Sequence, residues 1–271
     1  MAWTDRQQAM LREMGLRLWL PAAAAPEPAP QPVPLATAPA PPPAIAPAAA
    51  RLTPAVSAPL PLAARMDVRE PGGEEPRAVA SLEWSALQAA VAGCRACGLC
   101  ATRRQTVFGV GHLQAHCMVV GEAPGEQEDA QGEPFVGAAG QLLDRMLAAL
   151  GLGRAPATPE RQVFIANTLK CRPPRNRNPS PEELASCQPF LERQVALVQP
   201  RVILAMGRFA VQQLLGSDEP IGRLRGTVHR WRGVPLVVSY HPAYLLRQPA
   251  DKAKAWDDLC RVAELLGQPP A

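Results

Sequence analysis

The stretch CMVVGEAPGEQED (117–129) passes from an unbroken apolar run into a glycine-bearing acidic turn. A valine-rich run without polar alternation is the pattern of a strand buried on both faces. Three further runs of this kind follow: VFIANTL (163–169), VILAMG (202–207) and PLVVSY (235–240). Helical patterns separate them. Leu143, Met146, Leu147 and Leu150 share one stripe of residues 140–150, and Ser180 stands as an N-cap before Pro181, Glu182 and Glu183. Residues 208–215 and 251–266 carry two more. Strands alternating with helices predict an α/β fold with a central four-stranded parallel sheet covered on both faces, a three-layer α/β/α sandwich.

In such sheets ligands bind beyond the carboxyl ends of the strands, and each run here ends in a chemically marked element. After the first, Gly121 and Gly125 permit a tight turn stiffened by Pro124, with Glu122, Glu126, Glu128 and Asp129 following. A phosphate-cradling loop would carry lysine at this place, so four acids argue against a nucleotide P-loop. Phe135 in EPFVG (133–137) is either core or a ring offered for stacking. Asn167 closes the second run, where a buried amide either caps backbone or reads a ligand with one acceptor and two donors. His241 stands just past the last run, before Pro242.

Seven cysteines, an odd number, and a charged N-terminus without an apolar signal region point to a reducing compartment rather than to disulfides. Cys117 opens an apolar run and Cys260 lies in a helical pattern, so both read as small buried hydrophobes. Cys94 and Cys97 form C-x2-C, and Cys171 and Cys187 bound a proline-rich loop. The long second spacing suits an all-cysteine iron–sulfur cluster, a [4Fe-4S] centre, better than zinc, which favours shorter symmetric knuckles. Cys100 in CRACGLC is the spare cysteine, near enough to the first pair to be mistaken for a ligand.

The composition is uneven. Between Pro21 and Pro61, 29 of 41 residues are alanine or proline and the only charges are Glu27 and Arg51. Such a segment buries too little to offset the entropy of ordering it, so residues 21–80 are expected to form a disordered, partly polyproline-like linker. Residues 1–20 are expected to hold a short amphipathic helix with Met10, Leu11, Met14 and Leu18 on one face, read either as a frayed terminus or as a contact for a repair or replication protein. The folded domain is expected over 81–267. No apolar run reaches the roughly 20 residues of a membrane helix, so no membrane partner is expected. A net charge of +4 is too small to argue for nucleic acid unaided. Position argues more strongly. Lys170, Arg172, Arg175 and Arg177 crowd the loop after the second strand, and Arg223, Arg225, Arg230 and Arg232 form a second basic run.

Six motifs occur in order: CRACGLCATR (94–103), VFGVG (107–111), GEAPGEQED (121–129), PFVGAAGQLLDRML (134–147), ANTLKCRPPRNRNP (166–179) and HPAYLLR (241–247). Through them the chain, from about Cys94 to Leu265, resembles the family 4 uracil-DNA glycosylases, the iron–sulfur branch of the uracil-DNA glycosylase superfamily. The resemblance implies a monofunctional enzyme, acting as a monomer in a bacterial cytosol and nucleoid. It would excise uracil from single- or double-stranded DNA and leave an abasic site. The base would be flipped out of the stack into a pocket formed by Gly121, Ala123, Glu128, Phe135, Asn167 and His241. Phe135 would stack on uracil, Asn167 would read its N3–H and O4, and His241 would donate to O2 as charge collects there. Glu128 would face the C5 edge and help to exclude thymine. The better-known family 1 enzymes carry an aspartate where this chain has Ala123. Either Glu122 or another acid of the turn positions the water, or stabilisation of the leaving group and the sugar cation carries the reaction with little need of a base. Arg172, Arg175, Arg177 and Arg247 would contact DNA, with Leu245 and its neighbour Leu246 wedging into the vacated stack. The subgroup that traps abasic DNA covalently carries a histidine-bearing loop after the second strand. This chain has no histidine between Cys117 and His229, so that chemistry is not expected. Two other readings compete: a non-catalytic iron–sulfur DNA-binding module attached to a polymerase or repair complex, disfavoured by the intact Phe135, Asn167 and His241, and an electron-transfer protein, which lacks a nucleotide or flavin fingerprint.

Overall fold

The computed structural model describes residues 9, 10, 13, 14 and 79–267. The expected linker over 21–80 therefore lies outside the described residues except at its end, where Val79 is buried against Leu87, Val91 and Leu99. Most of the N-terminal helix is likewise outside them. Met10 and Met14, however, are buried in the apolar cluster of the domain itself, so at these two positions the stripe covers the chain's own core.

The sheet strands are β1 (Val110–Gly111), β2 (Cys117–Gly121), β3 (Val163–Asn167), β4 (Val202–Met206), β5 (Val228–Trp231) and β6 (Val234–Ser239), in the order β1-β3-β2-β4-β6-β5. The four central strands are the expected parallel set. The expectation of four strands falls short at the edges: β1 pairs antiparallel with β3, and β5 antiparallel with β6. The helices are α1 (Trp84–Gly93), α2 (Glu126–Gln131), α3 (Gly137–Ala148), α4 (Pro181–Val198), α5 (Arg208–Leu215), α6 (Ile221–Leu224), α7 (Pro242–Arg247) and α8 (Lys252–Leu266).

Alternate residues of the buried strands feed opposite faces, as the pleat requires. Val119, Ile165, Leu204 and Val237 join α3 and α8 in one apolar layer. Met118, Phe164, Ile203 and Leu236 join α4 and α5 in the other. These are the two outer layers of the expected sandwich. A third, smaller cluster packs α1 and Leu99 against Leu169, Cys171, Leu184, Cys187 and Phe190.

Helix α4 begins as its sequence predicts. Ser180 Oγ accepts from the Glu183 N–H at 3.3 Å and the Ser180 N–H donates to Glu183 Oε2 at 2.9 Å, a reciprocal capping box. Helix α7 starts with Pro242 at its first position, and this fixes which leucine of the Leu245–Leu246 pair faces inward. Leu245 is 0% exposed and belongs to the core layer of α3 and α8, whereas Leu246 is 44% exposed. The expectation that Leu245 wedges into DNA is thereby corrected, and Leu246 is the side chain presented to solvent. Leu245→Ala should lower the unfolding free energy by about 2–5 kcal/mol, and Leu246→Ala should change it by less than about 0.5 kcal/mol. Urea denaturation of both variants measures the difference.

Candidate active site

The carboxyl ends of β2, β3, β4 and β6 open onto one cavity of about 760 Å³. Its walls include Glu122, Ala123, Glu128, Phe135, Asn167 and His241. The tips, distant in sequence, are brought together by register: Gly121 of β2 stands opposite Asn167 of β3. The pairing continues past the strand ends, with Thr168 N–H donating to Gly121 O at 2.9 Å, Leu169 N–H to Glu122 O at 3.1 Å and Thr168 Oγ1 to Glu122 O at 2.5 Å.

Gly121 is required by contact rather than by turn geometry. A Cβ at this position would stand 2.5 Å from Asn167 Oδ1 and 2.5 Å from Phe135 Cζ. The carboxamide and the ring therefore lie directly over the glycine. Phe135 adopts φ 52°, a left-handed conformation costly for an aromatic residue, and its neighbours enforce it. Arg154 donates from Nη1 to Pro134 O and from Nη2 to Phe135 O, each at 2.7 Å, while its Nε donates to Asp144 at 2.7 Å. Glu128 Oε1 accepts from the Val136 N–H at 3.1 Å, so this acid also fixes the Phe135 loop. Gly140 lets α3 approach: its Cβ would fall 1.7 Å from Phe135 O. The sequence reading missed Arg154 and Gly140, since only the tertiary fold brings either beside Phe135.

His241 caps α7 with its ring. Nδ1 accepts from the Ala243 N–H at 3.1 Å. In the neutral imidazole this assigns the proton to Nε2. Burial, reinforced by the Arg247 charge, pulls the ring down from 6.5 to about 4. His241 is therefore neutral near pH 7, with an N–H to offer. The ring stacks on Phe135 at 5.3 Å between centroids and 26° between planes.

Glu122 leans toward the start of α5. Its Oε1 accepts from the Phe209 N–H at 3.0 Å. Burial raises its carboxyl above the ordinary range, while the Phe209 and Arg208 N–H groups and the Arg208 charge act the other way. Gly207, at φ 98°, makes the approach feasible, because a Cβ there would meet Glu122 Oε1 at 2.5 Å. The remaining acids of the turn do other work. Asp129 is buried and accepts from the Arg104 N–H, and Glu126 pairs with Arg172 at 3.5 Å.

The basic residues separate into exposed and committed groups. Arg175 and Arg247 are exposed, the latter on the cavity rim. Arg172 is half-buried and donates to Asn176 Oδ1 at 2.8 Å. Arg177 is exposed but forms a two-pronged pair with Glu183 at 2.5 and 2.9 Å, which ties the loop to the cap of α4. Lys170 is a correction: at 1% exposed it has no access to phosphate. Burial pulls its ammonium down to about 8, against the opposite influence of Cys187 and Cys171. The second run is corrected also. Arg225 is engaged by the buried Asp258, and Arg232 pairs with Glu192 at 2.6 Å. Arg230 and Arg232 flank the β5–β6 hairpin at the amino end of β6, the end opposite the cavity.

Cys94, Cys97, Cys171 and Cys187 line a second, small cavity with Cys100, Arg103 and Lys170. No disulfide joins any of the seven cysteines, and Cys117 is a core residue whose thiol burial pushes up to about 12. Among the described residues no three His, Cys, Asp or Glu side chains are grouped to hold a single metal ion. The cysteines instead surround a space. Burial pushes Cys187 up to about 12, so a thiolate there needs a cationic partner. An all-sulfur donor set around a small, largely apolar space fits a cluster better than a lone ion.

The family model of the uracil DNA glycosylase superfamily matches residues 108–260. A type-4 uracil-DNA glycosylase of Archaeoglobus fulgidus is 42% identical over 186 residues, covering 66% of this chain and 90% of that protein. One from Thermotoga maritima is 41% identical over 163 residues, covering 59% and 82%. A type-5 uracil-DNA glycosylase of Pyrobaculum aerophilum is 35% identical over 147 residues, covering 50% and 64%. The chain belongs to the uracil-DNA glycosylase superfamily.

The His241 geometry has a consequence for stability. The folded ring binds its proton more weakly than the unfolded one, so between pH 6.5 and about 4 the unfolded state holds more protons. Stability should therefore fall as pH drops through that window and be insensitive to this group above it. His241→Asn should flatten the acid slope, as read from urea midpoints at successive pH values.

Proposed function

We propose that the protein removes uracil from DNA by hydrolysing the bond between N1 of the base and C1′ of the sugar, releasing uracil and leaving an abasic site. The observation that carries this reading is His241: neutral, with Nδ1 engaged by the Ala243 N–H and Nε2–H left to donate, in one cavity with Phe135 and Asn167.

The target nucleotide leaves the stack at a cost of a few kcal/mol, lower at a mismatch or in a single strand. A cavity of about 760 Å³ has room for a base with its sugar and flanking phosphates. Uracil stacks on Phe135. Asn167 accepts from N3–H and donates to O4, and cytosine, with the reverse pattern at these atoms, would leave the buried amide unpaired. As the N1–C1′ bond breaks, its electron pair moves into the ring and charge collects on O2, where the Nε2–H of His241 donates. The water oxygen bonds to C1′ and its surplus proton passes to solvent. Glu122 orients that water, its carboxylate held by the Phe209 N–H. Glu128, through its bond to the Val136 N–H, holds the loop that walls the C5 edge. Arg172, Arg175, Arg177 and Arg247 contact phosphates and Leu246 enters the gap in the stack.

Cys94, Cys97, Cys171 and Cys187 hold a [4Fe-4S] cluster. When bound, it supplies a cross-link between the segment before β1 and the loop after β3, with no part in bond cleavage. Cys100 shares the cavity wall and is not a ligand in this reading. Measured iron and acid-labile sulfide should be lost from Cys171→Ser and kept by Cys100→Ser.

Uracil-containing single- and double-stranded oligonucleotides should become alkali-labile at the uracil when treated with full-length protein. Intact oligonucleotides at every enzyme concentration would overturn the assignment. His241→Ala should lower the single-turnover rate by about 10²–10³, the effect of removing one oxyanion donor, while affinity for uracil-DNA changes far less. Asn167→Asp should shift excision away from uracil, and unchanged base choice would remove Asn167 from base reading.

A further inference from the structure

Lys170 lies between the cysteines and the base-reading tip. Its Nζ donates to the backbone oxygen of Asn167 at 2.7 Å and to Gln194 Oε1 at 2.6 Å, while its own N–H donates to Cys187 Sγ at 3.3 Å. Gln194, 0% exposed on α4, is held in turn by its Nε2 donating to Phe108 O at 2.9 Å. Both acceptors of the ammonium are neutral carbonyls. Among the described residues no ion pair joins it to a carboxylate. A buried ammonium without an anion costs several kcal/mol, so its charge must be answered by something else in reach. The cysteine cavity is in reach, because Lys170 forms part of its wall. A second cation stands on the same cavity: Arg103 donates from Nη1 to Cys171 Sγ at 3.0 Å and from Nη2 to Cys94 O at 2.9 Å. Four thiolates around an iron–sulfur core make a net-negative group, the complement of these two cations.

We propose that Lys170 is the buried countercharge of the thiolate-bound cluster and the positioning residue that ties it to the Asn167 backbone. The proposal rests on the reading of the four cysteines as cluster ligands. One ammonium then answers the cluster's charge while its hydrogen bonds hold the end of β3 and the middle of α4. The cluster stabilises a cation that would otherwise be expelled from the interior, and the cation fixes the strand end from which Asn167 reaches the base.

The test uses full-length protein purified without oxygen, with iron and sulfide assayed first. Wild-type protein lacking both would overturn the cluster reading itself, and this proposal with it. In cluster-loaded Lys170→Met the midpoint potential from an optical redox titration should move to a more negative value, because removing a cation disfavours adding an electron. Lys170→Arg should move it less. The single-turnover excision rate of Lys170→Met should fall by about tenfold, the scale of one lost hydrogen bond to a charged group, with DNA affinity unchanged because Lys170 does not reach phosphate. An unchanged potential overturns the countercharge, and an unchanged rate overturns the positioning. If Lys170→Met does not hold the cluster, Gln194→Glu places a carboxylate against the ammonium and should move the potential the same way. A wild-type potential in that variant overturns the proposal.

Discussion

The parallel register that sets Gly121 opposite Asn167 is the constraint on which the site depends. A glycine at the end of β2 leaves a space above its Cα, and the Asn167 carboxamide and the Phe135 ring fill it. Any side chain there would push both apart. The backbone bonds from Thr168 and Leu169 to Gly121 and Glu122 then carry the pairing past the sheet. The first turn and the Asn167 loop are thus tied together by hydrogen bonds. Buried strands on both sides, supported by apolar layers on each face, make a one-residue slip very costly, because it would exchange the two layers. The geometry of base recognition is therefore inherited from the core and does not have to be created by the loops.

The cysteine-lined region extends the same logic to the arginine-bearing loop that is proposed to face DNA. Residues 171–187 begin at one buried cysteine and end at another, and between them Arg177 is locked to the capping box of α4 through Glu183. A segment of this length with four prolines and three arginines has little apolar surface of its own to hold it. The surrounding cluster of Leu87, Val91, Leu99, Leu169 and Phe190 supplies that surface, and the cysteine cavity sits at its centre. Rigidity here favours the proposed phosphate contacts, since contacts made from an ordered loop cost less entropy on binding.

Much of this was legible in the sequence where burial is total. The four central strands announce themselves because a strand buried on both faces must be apolar at every position. The edge strands do not. β1 has two residues, and β5, Val-His-Arg-Trp, buries only Trp231. Asn167 and His241 converge as their places at strand tips imply, and Phe135 joins them from the loop between α2 and α3. The failures have one physical origin, the direction a side chain takes in the folded chain. Leu245 and Leu246 are adjacent leucines, and only the phase of α7 after Pro242 decides which is core. Lys170 stands in a basic run, yet the step from β3 into the cysteine loop turns it inward. Arg225 stands in the second basic run, yet α8 brings Asp258 beside it.

The distribution of charge around the cavity bears on how bond cleavage is shared. His241 cannot act as a cationic acid near neutral pH, because burial disfavours the imidazolium and its Nδ1 already faces the Ala243 N–H. It is limited to a neutral hydrogen bond, which suits a leaving group that becomes a stable anion. Glu122 is constrained in the opposite sense. Its carboxylate is tied to the start of α5, which favours the charged form, but burial works against it. A carboxylate held in this way is poorly placed to swing and abstract a proton, and well placed to orient a water and to face positive charge growing on the sugar. With Ala123 supplying no second acid, the proposed reaction divides the work by position: the neutral donor meets the departing base, and the fixed carboxylate meets the sugar. This arrangement favours a transition state in which the N1–C1′ bond is largely broken before the water bonds, because that state places the most charge where these two groups stand.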